Sequence, residues 1–400
     1  MILIATALFP PEPVVSANLS FDIASSLAIE DDVVVLSPRP TRPFGMEFDK
    51  EYKNHYPFRQ IIVESYTCAQ SNVFGRFKES YSFGRHIKQY VEKNHEKISV
   101  IYANIWPLFA QKALLKIASK YSIPVVLHIQ DIYPESISKK VKFFGGVIDK
   151  FYLPMDRYNL RVASKVVTIS EQMKKYLAQT RCITKDKIAV VRNWQNNDDF
   201  MKIQAKCNTQ EDKMFCFMYL GSINPTAGVD LLVHAFGKAN LINSCLIIAG
   251  DGSDKQKCIH ISKEYTEDIR FISVRPEQVP EIQSMADVLL LPLKKGVAGT
   301  ALPSKMTAYM FSGKPIIASI DIGSEVADIM EYSSCGWVIE PENEKQLIGC
   351  MDAALKSKQD KLKKMGERAF QYATKNLSKE SNLMKLVLII KNSKREVKLC

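Results

Sequence analysis

One histidine and two carboxylates fall within eight residues at His128-Ile129-Gln130-Asp131-Ile132-Tyr133-Pro134-Glu135, directly after the apolar run Pro124–Leu127. Such a run reads as a buried strand whose carboxyl end carries polar groups, the usual place for a ligand in an open parallel sheet. Imidazole and carboxylate together donate to and accept from sugar hydroxyls, so His128, Asp131 and Glu135 form the candidate catalytic group. A lone strand-end histidine is more often structural, and it is the clustering that favours function. Metal ligation fits less well, because no second histidine stands at ligand spacing. There is no D-x-D triplet either, since Asp31-Asp32 and Asp198-Asp199 are adjacent pairs whose side chains point opposite ways on a strand. Neither a metal nor a cofactor is expected.

The second half offers a site for phosphate. Two glycine turns, Leu220-Gly221-Ser222 and Gly250-Asp251-Gly252, each follow a strand, where glycine lets backbone approach a phosphate or nucleobase closely. Neither is G-x-G-x-x-G and no P-loop occurs, so the dinucleotide and P-loop readings are weak. More informative is Gly296-Val297-Ala298-Gly299-Thr300-Ala301-Leu302-Pro303-Ser304-Lys305, which runs into a helix. A lysine in the first turn opposes the helix dipole unless an anion compensates it, which suits Lys305 to a diphosphate. Gly299, Thr300, Ala301, Leu302 and Ser304 would supply the rest of that loop, with Arg275 and Lys294 as further cations. In the first half, Phe9-Pro10-Pro11-Glu12-Pro13 forms a stiff loop before a helix at about Ser16, at the sheet edge where ligands sit, making Pro11, Glu12 and Ser16 candidates for holding a ligand.

These residues need a scaffold, and the chain alternates short β-branched runs with helical patterns throughout. Strands are expected at Met1–Leu8, Val33–Ser37, Ile98–Tyr102, Val125–His128, Val166–Ile169 and Ile188–Val191. After the polar stretch Gln195–Lys213 they resume at Phe215–Leu220, Cys245–Ala249, Ile269–Ile272, Val288–Leu291, Pro315–Ser319 and Trp337–Ile339. That rhythm predicts an α/β fold of two Rossmann-like domains facing across a cleft, with the linker near Asn193–Lys213 as hinge. The expected boundaries are 1–194 for the first domain, 214–375 for the second, and 376–400 for a C-terminal helix packing back on the first. Four hundred residues suit two domains. Nine scattered cysteines without a C-x-x-C pair argue against a disulfide framework and a zinc site. No apolar run is long enough to span a bilayer, and Met1–Phe9 lacks the basic leader of a secretory signal, so a cytoplasmic protein is expected. The net charge of +11 favours phosphate-rich partners. Phe74–Lys93 and Lys139–Arg161 mix cations with aromatics in a way that suits an anionic membrane surface, although ordinary helices with aromatics facing the core would read the same.

Taken together the pieces resemble a family 4 glycosyltransferase of the GT-B fold, a large group of retaining, nucleotide-sugar-dependent enzymes. The resemblance rests on Phe9-Pro10-Pro11-Glu12, His128 with Asp131 to Glu135, Thr168-Ile169-Ser170-Glu171, Asn193-Trp194, Tyr219-Leu220-Gly221, Gly250-Asp251-Gly252, Ala286-Asp287 before Leu291-Pro292, and Gly313-Lys314-Pro315, in that order over nearly the whole chain. Asp131-x-x-Pro134-Glu135 and Leu302-Pro303-Ser304-Lys305-x-Thr307 are most similar to bacterial branches that build capsules, colanic acid and O-antigens. The resemblance implies a nucleoside diphosphate sugar donor, a glycan or lipid-linked sugar acceptor at the inner face of the cell membrane, retention at the anomeric carbon, and His128 holding the donor sugar. Two departures stand out. The family's paired glutamates fall on Thr300 and Ala308, and its diphosphate-binding arginine and lysine fall near Ser222 and Ala227. The positive charge must then come from elsewhere, with Lys305 best placed. A nucleotide-sugar 2-epimerase of the same double sheet is the second reading, and a non-catalytic basic binding protein the third. Nucleic acid is not an expected partner, because neither a recognition-helix motif nor a zinc finger is present.

Overall fold

The computed structural model describes residues 1–42, 48, 56–68, 73–138, 145–194, 197–204, 214–296 and 304–395. The chain divides into two units, Met1–Trp194 with Asn382–Cys400, and Gln195–Ser381. The first holds seven strands: β1 (Ile2–Thr6), β2 (Val33–Pro38), β3 (Arg59–Val63), β4 (Val100–Asn104), β5 (Val125–Ile129), β6 (Lys165–Thr168) and β7 (Ile188–Val190), in the order β3-β2-β1-β4-β5-β6-β7. All pairings are parallel. Parallel strands covered by helices on both faces are buried on both, which is why β1, β2 and β5 read as unbroken apolar runs rather than alternating ones.

The two faces of that sheet carry separate cores. Leu3, Ala5, Leu36, Ile101 and Leu127 face the helices Val73–Asn94 and Phe109–Lys120, while Ile2, Ile4, Val35, Tyr102 and Val126 face the helix Val15–Leu27. The second face also receives Leu386, Val387 and Ile390 from the helix Lys379–Lys391, so the last stretch of the chain is part of the first unit's core. Lys391 pairs with Glu30 and Lys394 with Asp31, and Arg395 donates to the carbonyls of His95, Ile98 and Tyr121. A cation at these carbonyls complements the carboxyl ends of two helices.

The second unit holds β8 (Phe215–Leu220), β9 (Ser244–Ala249), β10 (Ile269–Ile272), β11 (Val288–Pro292), β12 (Ile316–Ser319) and β13 (Gly336–Ile339), all parallel, in the order β10-β9-β8-β11-β12-β13. In each sheet the strand order reverses once, between β1 and β4 and between β8 and β11, and such switch points open a crevice at the strands' carboxyl ends. Three elements refine the plain sequence pattern. Strand β3 is a half-exposed edge, so its apolar run is only Ile61-Ile62-Val63, preceded by the polar Arg59-Gln60. The helix Gly145–Val162 carries a proline at 154 within it. Finally, the polar stretch expected to be a plain linker contains the helix Asp198–Gln204, whose Phe200 ring lies 6.4 Å from Phe311.

The glycine turns after β8 and β9 have a structural reason that differs from the expected one. Gly250 and Gly252 hold φ of 144° and 155°, and a Cβ on either would lie 2.1 Å from a carbonyl oxygen of the neighbouring turn, that of Gly221 or Ile223 respectively. Backbone hydrogen bonds Gly221 N to Ala249 O and Ile223 N to Asp251 O, both 2.9 Å, lock the two turns together. Here the missing side chains admit another loop. Gly252→Ala should therefore destabilise the second unit by roughly 2 to 4 kcal/mol through strain and collision. Gly349→Ala is the control: it sits in the helix Glu344–Leu355 with nothing within 4 Å of a new Cβ, and should be neutral or stabilising by up to about 1 kcal/mol. Urea unfolding of both variants checks the pair, and equal midpoints would contradict the interlocking account.

Candidate active site

Tyr102 pairs in register with Val126, and His128 stands two residues further along β5 on the same face, so a long side chain on β4 can reach it diagonally. The Tyr102 hydroxyl lies 2.7 Å from His128 Nδ1. Both residues are buried, at 0% and 3% exposed. Burial pushes the Tyr102 phenol up and the His128 imidazole down, to about 4, so the histidine is neutral near pH 7. A neutral imidazole has one N–H. If Nδ1 carried it, the phenol proton would be stranded in the core. If the phenol donates to Nδ1, Nε2 carries the proton, and Nε2 belongs to a ring that lines a cavity of about 190 Å³ at the ends of β1, β4 and β5. The second arrangement leaves its one unpartnered donor on a ring that lines the cavity.

Gln130 and Trp106 line the same cavity, and like His128 Nε2, their Nε2 and Nε1 atoms are buried without a hydrogen-bond partner among the described residues. Each such group costs about 1 to 3 kcal/mol while it has no acceptor, and all three are donors that an oxygen atom would satisfy. Ser16 donates to Gln130 Oε1 at 2.7 Å and so fixes the amide's orientation. Asp131 completes the cavity wall, exposed, with Oδ1 accepting from the Ile132 N–H at 2.9 Å. The sequence singled out His128, Asp131 and Ser16, and the structure brings them together. Tyr102 and Trp106 went unnoticed, although Trp106 follows β4 by two residues, and this position past a strand's carboxyl end was the available signal.

Two expected site residues have other work. Glu135 does not line the cavity: Arg181 donates to its Oε2 at 2.7 Å and Tyr176 to its Oε1 at 2.8 Å. Burial alone would raise its carboxyl, and those hydrogen bonds hold it below the ordinary value. Glu12 is buried at 3% exposed, with Oε1 accepting from the N–H groups of Thr41 (2.8 Å) and Arg42 (2.9 Å) and Oε2 from that of Phe9 at 3.4 Å. Burial raises its carboxyl against those bonds. It ties loops together, with both carboxylate oxygens engaged by backbone N–H groups. Pro11 lines a different cavity, of about 310 Å³, with Arg39, Gln60 and Glu64.

In the second unit, Lys305 and Tyr309 lie one helical turn apart on the same face of the helix Ser304–Phe311, and both reach the end of β8. Tyr309 accepts from the Leu220 N–H at 2.9 Å and donates to its carbonyl at 3.1 Å. Lys305 Nζ donates to the Tyr219 hydroxyl at 2.7 Å, which donates in turn to Ser222 O at 2.6 Å. A Cβ on Gly221 would lie 2.1 Å from Lys305 Cε, so the glycine makes room for the lysine stem. Burial lowers the lysine's pKa, and no carboxylate offsets its charge among the described contacts. Arg275, exposed, donates to Gln278 Oε1 at 3.3 Å. Lys294 lies 3.8 Å from Asp230, in a third cavity with His234 and Glu342. Gly299, Thr300, Ala301 and Leu302 lie outside the described residues, as does the Ser304 side chain. Among the described residues no group of three His, Cys, Asp or Glu side chains gathers as a metal would need, and no helix is long and apolar enough to cross a membrane.

Two Rossmann-like units of this kind occur together in known structures. A glycosyltransferase from Rickettsia africae ESF-5 aligns over 98% of both chains with a TM-score of 0.64 at 17% identity. Anabaena Alr3699/HepE, solved with UDP, aligns over 98% of this chain and 99% of its own with a TM-score of 0.63 at 15% identity. The fold is thus that of the GT-B glycosyltransferases. In sequence, WcaI of Escherichia coli K12, named as a colanic acid biosynthesis glycosyl transferase, is 22% identical over 293 residues, 70% of each chain. Residues 18–197 match the family model described as Glycosyltransferase Family 4, and residues 200–372 the one described as Glycosyl transferases group 1. The chain belongs to the family 4 glycosyltransferases.

The depressed pKa of His128 has a thermodynamic consequence. An unfolded histidine takes up its proton near pH 6.5, whereas the folded one waits until about pH 4, so acid favours the unfolded chain across that window. The stability tied to neutral His128 is complete above pH 6.5 and is lost as the pH falls toward 4, by roughly 3 kcal/mol at most. Unfolding free energies at pH 7 and pH 4.5 should therefore diverge by about 2 kcal/mol more for the wild type than for His128→Gln. Parallel losses in the two proteins would place the histidine in a polar, solvated site instead.

Proposed function

We propose that this glycosyltransferase moves a hexose from a nucleoside diphosphate donor to a lipid-linked glycan, with retention at the anomeric carbon, during assembly of a bacterial surface polysaccharide. The UDP in the Anabaena HepE structure supports the donor class, and the name of WcaI the pathway class. The observation that carries the reading is Lys305, a half-buried ammonium at the start of a helix, packed on Gly221, with one neutral phenol as its hydrogen-bond partner among the described residues. Such a charge is poised for an anion, and a diphosphate supplies it. The second unit would bind the nucleoside diphosphate around Gly221, Ser222 and Lys305, and the first unit the acceptor. His128 Nε2–H would donate to a hydroxyl of the sugar in transit, with Asp131 accepting from another.

In the reaction the acceptor hydroxyl oxygen bonds to the anomeric carbon as that carbon's bond to the phosphate oxygen breaks. The hydroxyl proton passes to the departing oxygen on the face where it leaves. Negative charge grows on the diphosphate, and Lys305 together with helix N–H groups meets it there, so no metal is needed. Work at the inner face of the membrane is supported by the aromatics Phe74 and Phe151, 86% and 73% exposed, on helices joined by the Phe77–Tyr152 ring contact of 5.0 Å, with lysines and arginines along both. Lys139, Lys140, Lys142, Phe143 and Phe144 of that expected surface lie outside the described residues.

Incubating the protein with UDP-sugars, EDTA and a polyprenyl-diphosphate sugar in anionic vesicles tests the reading as a whole. Product with the donor's anomeric configuration is expected, whereas isomerised nucleotide sugar formed without acceptor would identify an epimerase. For the carrying residue, Lys305→Met keeps the apolar stem and deletes the charge. It should leave the fold as stable or slightly more so, and weaken UDP binding by about 1.5 to 3 kcal/mol while uridine binds as before. Calorimetric titration reads both ligands, and unchanged UDP affinity would remove Lys305 from the site.

A further inference from the structure

Arg181, the last residue of the helix Glu171–Arg181, is 0% exposed and makes four hydrogen bonds at once. Its Nε donates to Asp156 Oδ2 at 2.6 Å and its Nη1 to Thr180 Oγ1 at 2.9 Å. Its Nη2 donates at 2.7 Å both to Glu135 Oε2 and to the backbone carbonyl of Tyr133. Those last two acceptors lie on the segment that leaves β5, and Tyr133 and Asp131 of that segment line the cavity beside His128. The second oxygen of Glu135 is taken by the Tyr176 hydroxyl, one turn before Arg181 on the same helix. The cavity wall is thus strapped from behind by one helix at two points.

We propose that Arg181 is a positioning residue: its guanidinium fixes the Asp131–Glu135 segment as the wall of the sugar pocket, and it acts on turnover through that wall without touching substrate. This rests on the reading of the pocket as the site of the transferred sugar. The chemistry favours a guanidinium over any other cation. Its planar fork reaches a carboxylate and a carbonyl from one nitrogen while a second nitrogen holds another carboxylate, which a single ammonium cannot do. Burial raises the Asp156 carboxyl to about 6 against its bond to Arg181, and the charge of Glu135 adds to that rise, so the two acids share one cation. A shared cation keeps two elements, the segment and the helix Gly145–Val162, registered on a third.

Arg181→Lys keeps the charge and loses the fork. We expect kcat to fall between about tenfold and a hundredfold, the range for a site displaced by about 1 Å, with UDP affinity within about twofold of wild type and KM for the donor little changed. Backbone amides of residues 132–138 should exchange at least about tenfold faster in the variant, and those of the helix Phe109–Lys120 at the wild-type rate. Glu135→Gln is the milder companion, because it keeps the shape but loses the negative charge that Arg181 pairs with, and its amide NH2 can meet the Tyr176 hydroxyl only if that hydroxyl turns to accept. It should stay folded, with a smaller fall in kcat and the same local rise in exchange. Wild-type exchange at 132–138 in either folded variant would overturn the proposal, as would a fall in activity wholly explained by a smaller folded fraction. If the wild-type chain transfers no sugar, the functional reading fails, and the exchange rates still decide whether the strap exists.

Discussion

The hydrogen bond between the Tyr102 phenol and His128 Nδ1 is the contact on which the chemistry of the first unit depends. It is made possible by the register of β4 on β5 and by the switch point beside β4, which leaves the end of β5 next to open space. Because both rings are buried, neither gains by ionising, and the pair stays neutral with one proton between the rings and one outward. A sheet built for packing therefore presents a fixed N–H donor, and Gln130 and Trp106 add two more in the same cavity. A pocket of buried donors costs stability when empty, which is a common signature of a site kept for binding.

Around that pocket the polar residues that look most like catalysts hold loops in place. Glu12 gathers three backbone N–H groups, and Glu135 is gripped by Arg181 and Tyr176. Buried charges of this kind are weak sources of net stability, yet breaking one leaves its partner uncompensated, so they enforce a single arrangement. The second unit reaches rigidity by other means. Its turns interlock through backbone where Gly250 and Gly252 have no side chain, and Tyr309 binds both polar atoms of Leu220. On that frame Lys305 is the exception, a charge whose partner is neutral.

The strands that are buried on both faces were readable as apolar runs, and with them the doubly wound class of each unit, because burial on two sides removes alternation. The edge strand β3 was not, since exposure returns polar residues to it. Spacing also located the carboxyl ends of β5 and β8, hence His128, Asp131 and Gly221. What it could not supply was direction. Glu135 stands seven residues from His128 and turns toward a helix whose Arg181 is 46 residues away in sequence, a pairing that only the folded packing reveals. The anomaly of a lysine in a first helical turn was visible, whereas Tyr219 as its seat was not, because a strand aromatic reads as core.

The central claim is that His128 is a neutral imidazole with its proton on Nε2. Nitrogen-15 shifts of the histidine ring in selectively labelled protein report that state directly. Between pH 5 and 8 the His128 signals should show a protonated Nε2 and an unprotonated Nδ1, without titrating, and the pattern should change in Tyr102→Phe. A proton resident on Nδ1, or a titration centred near pH 6.5, would contradict the account.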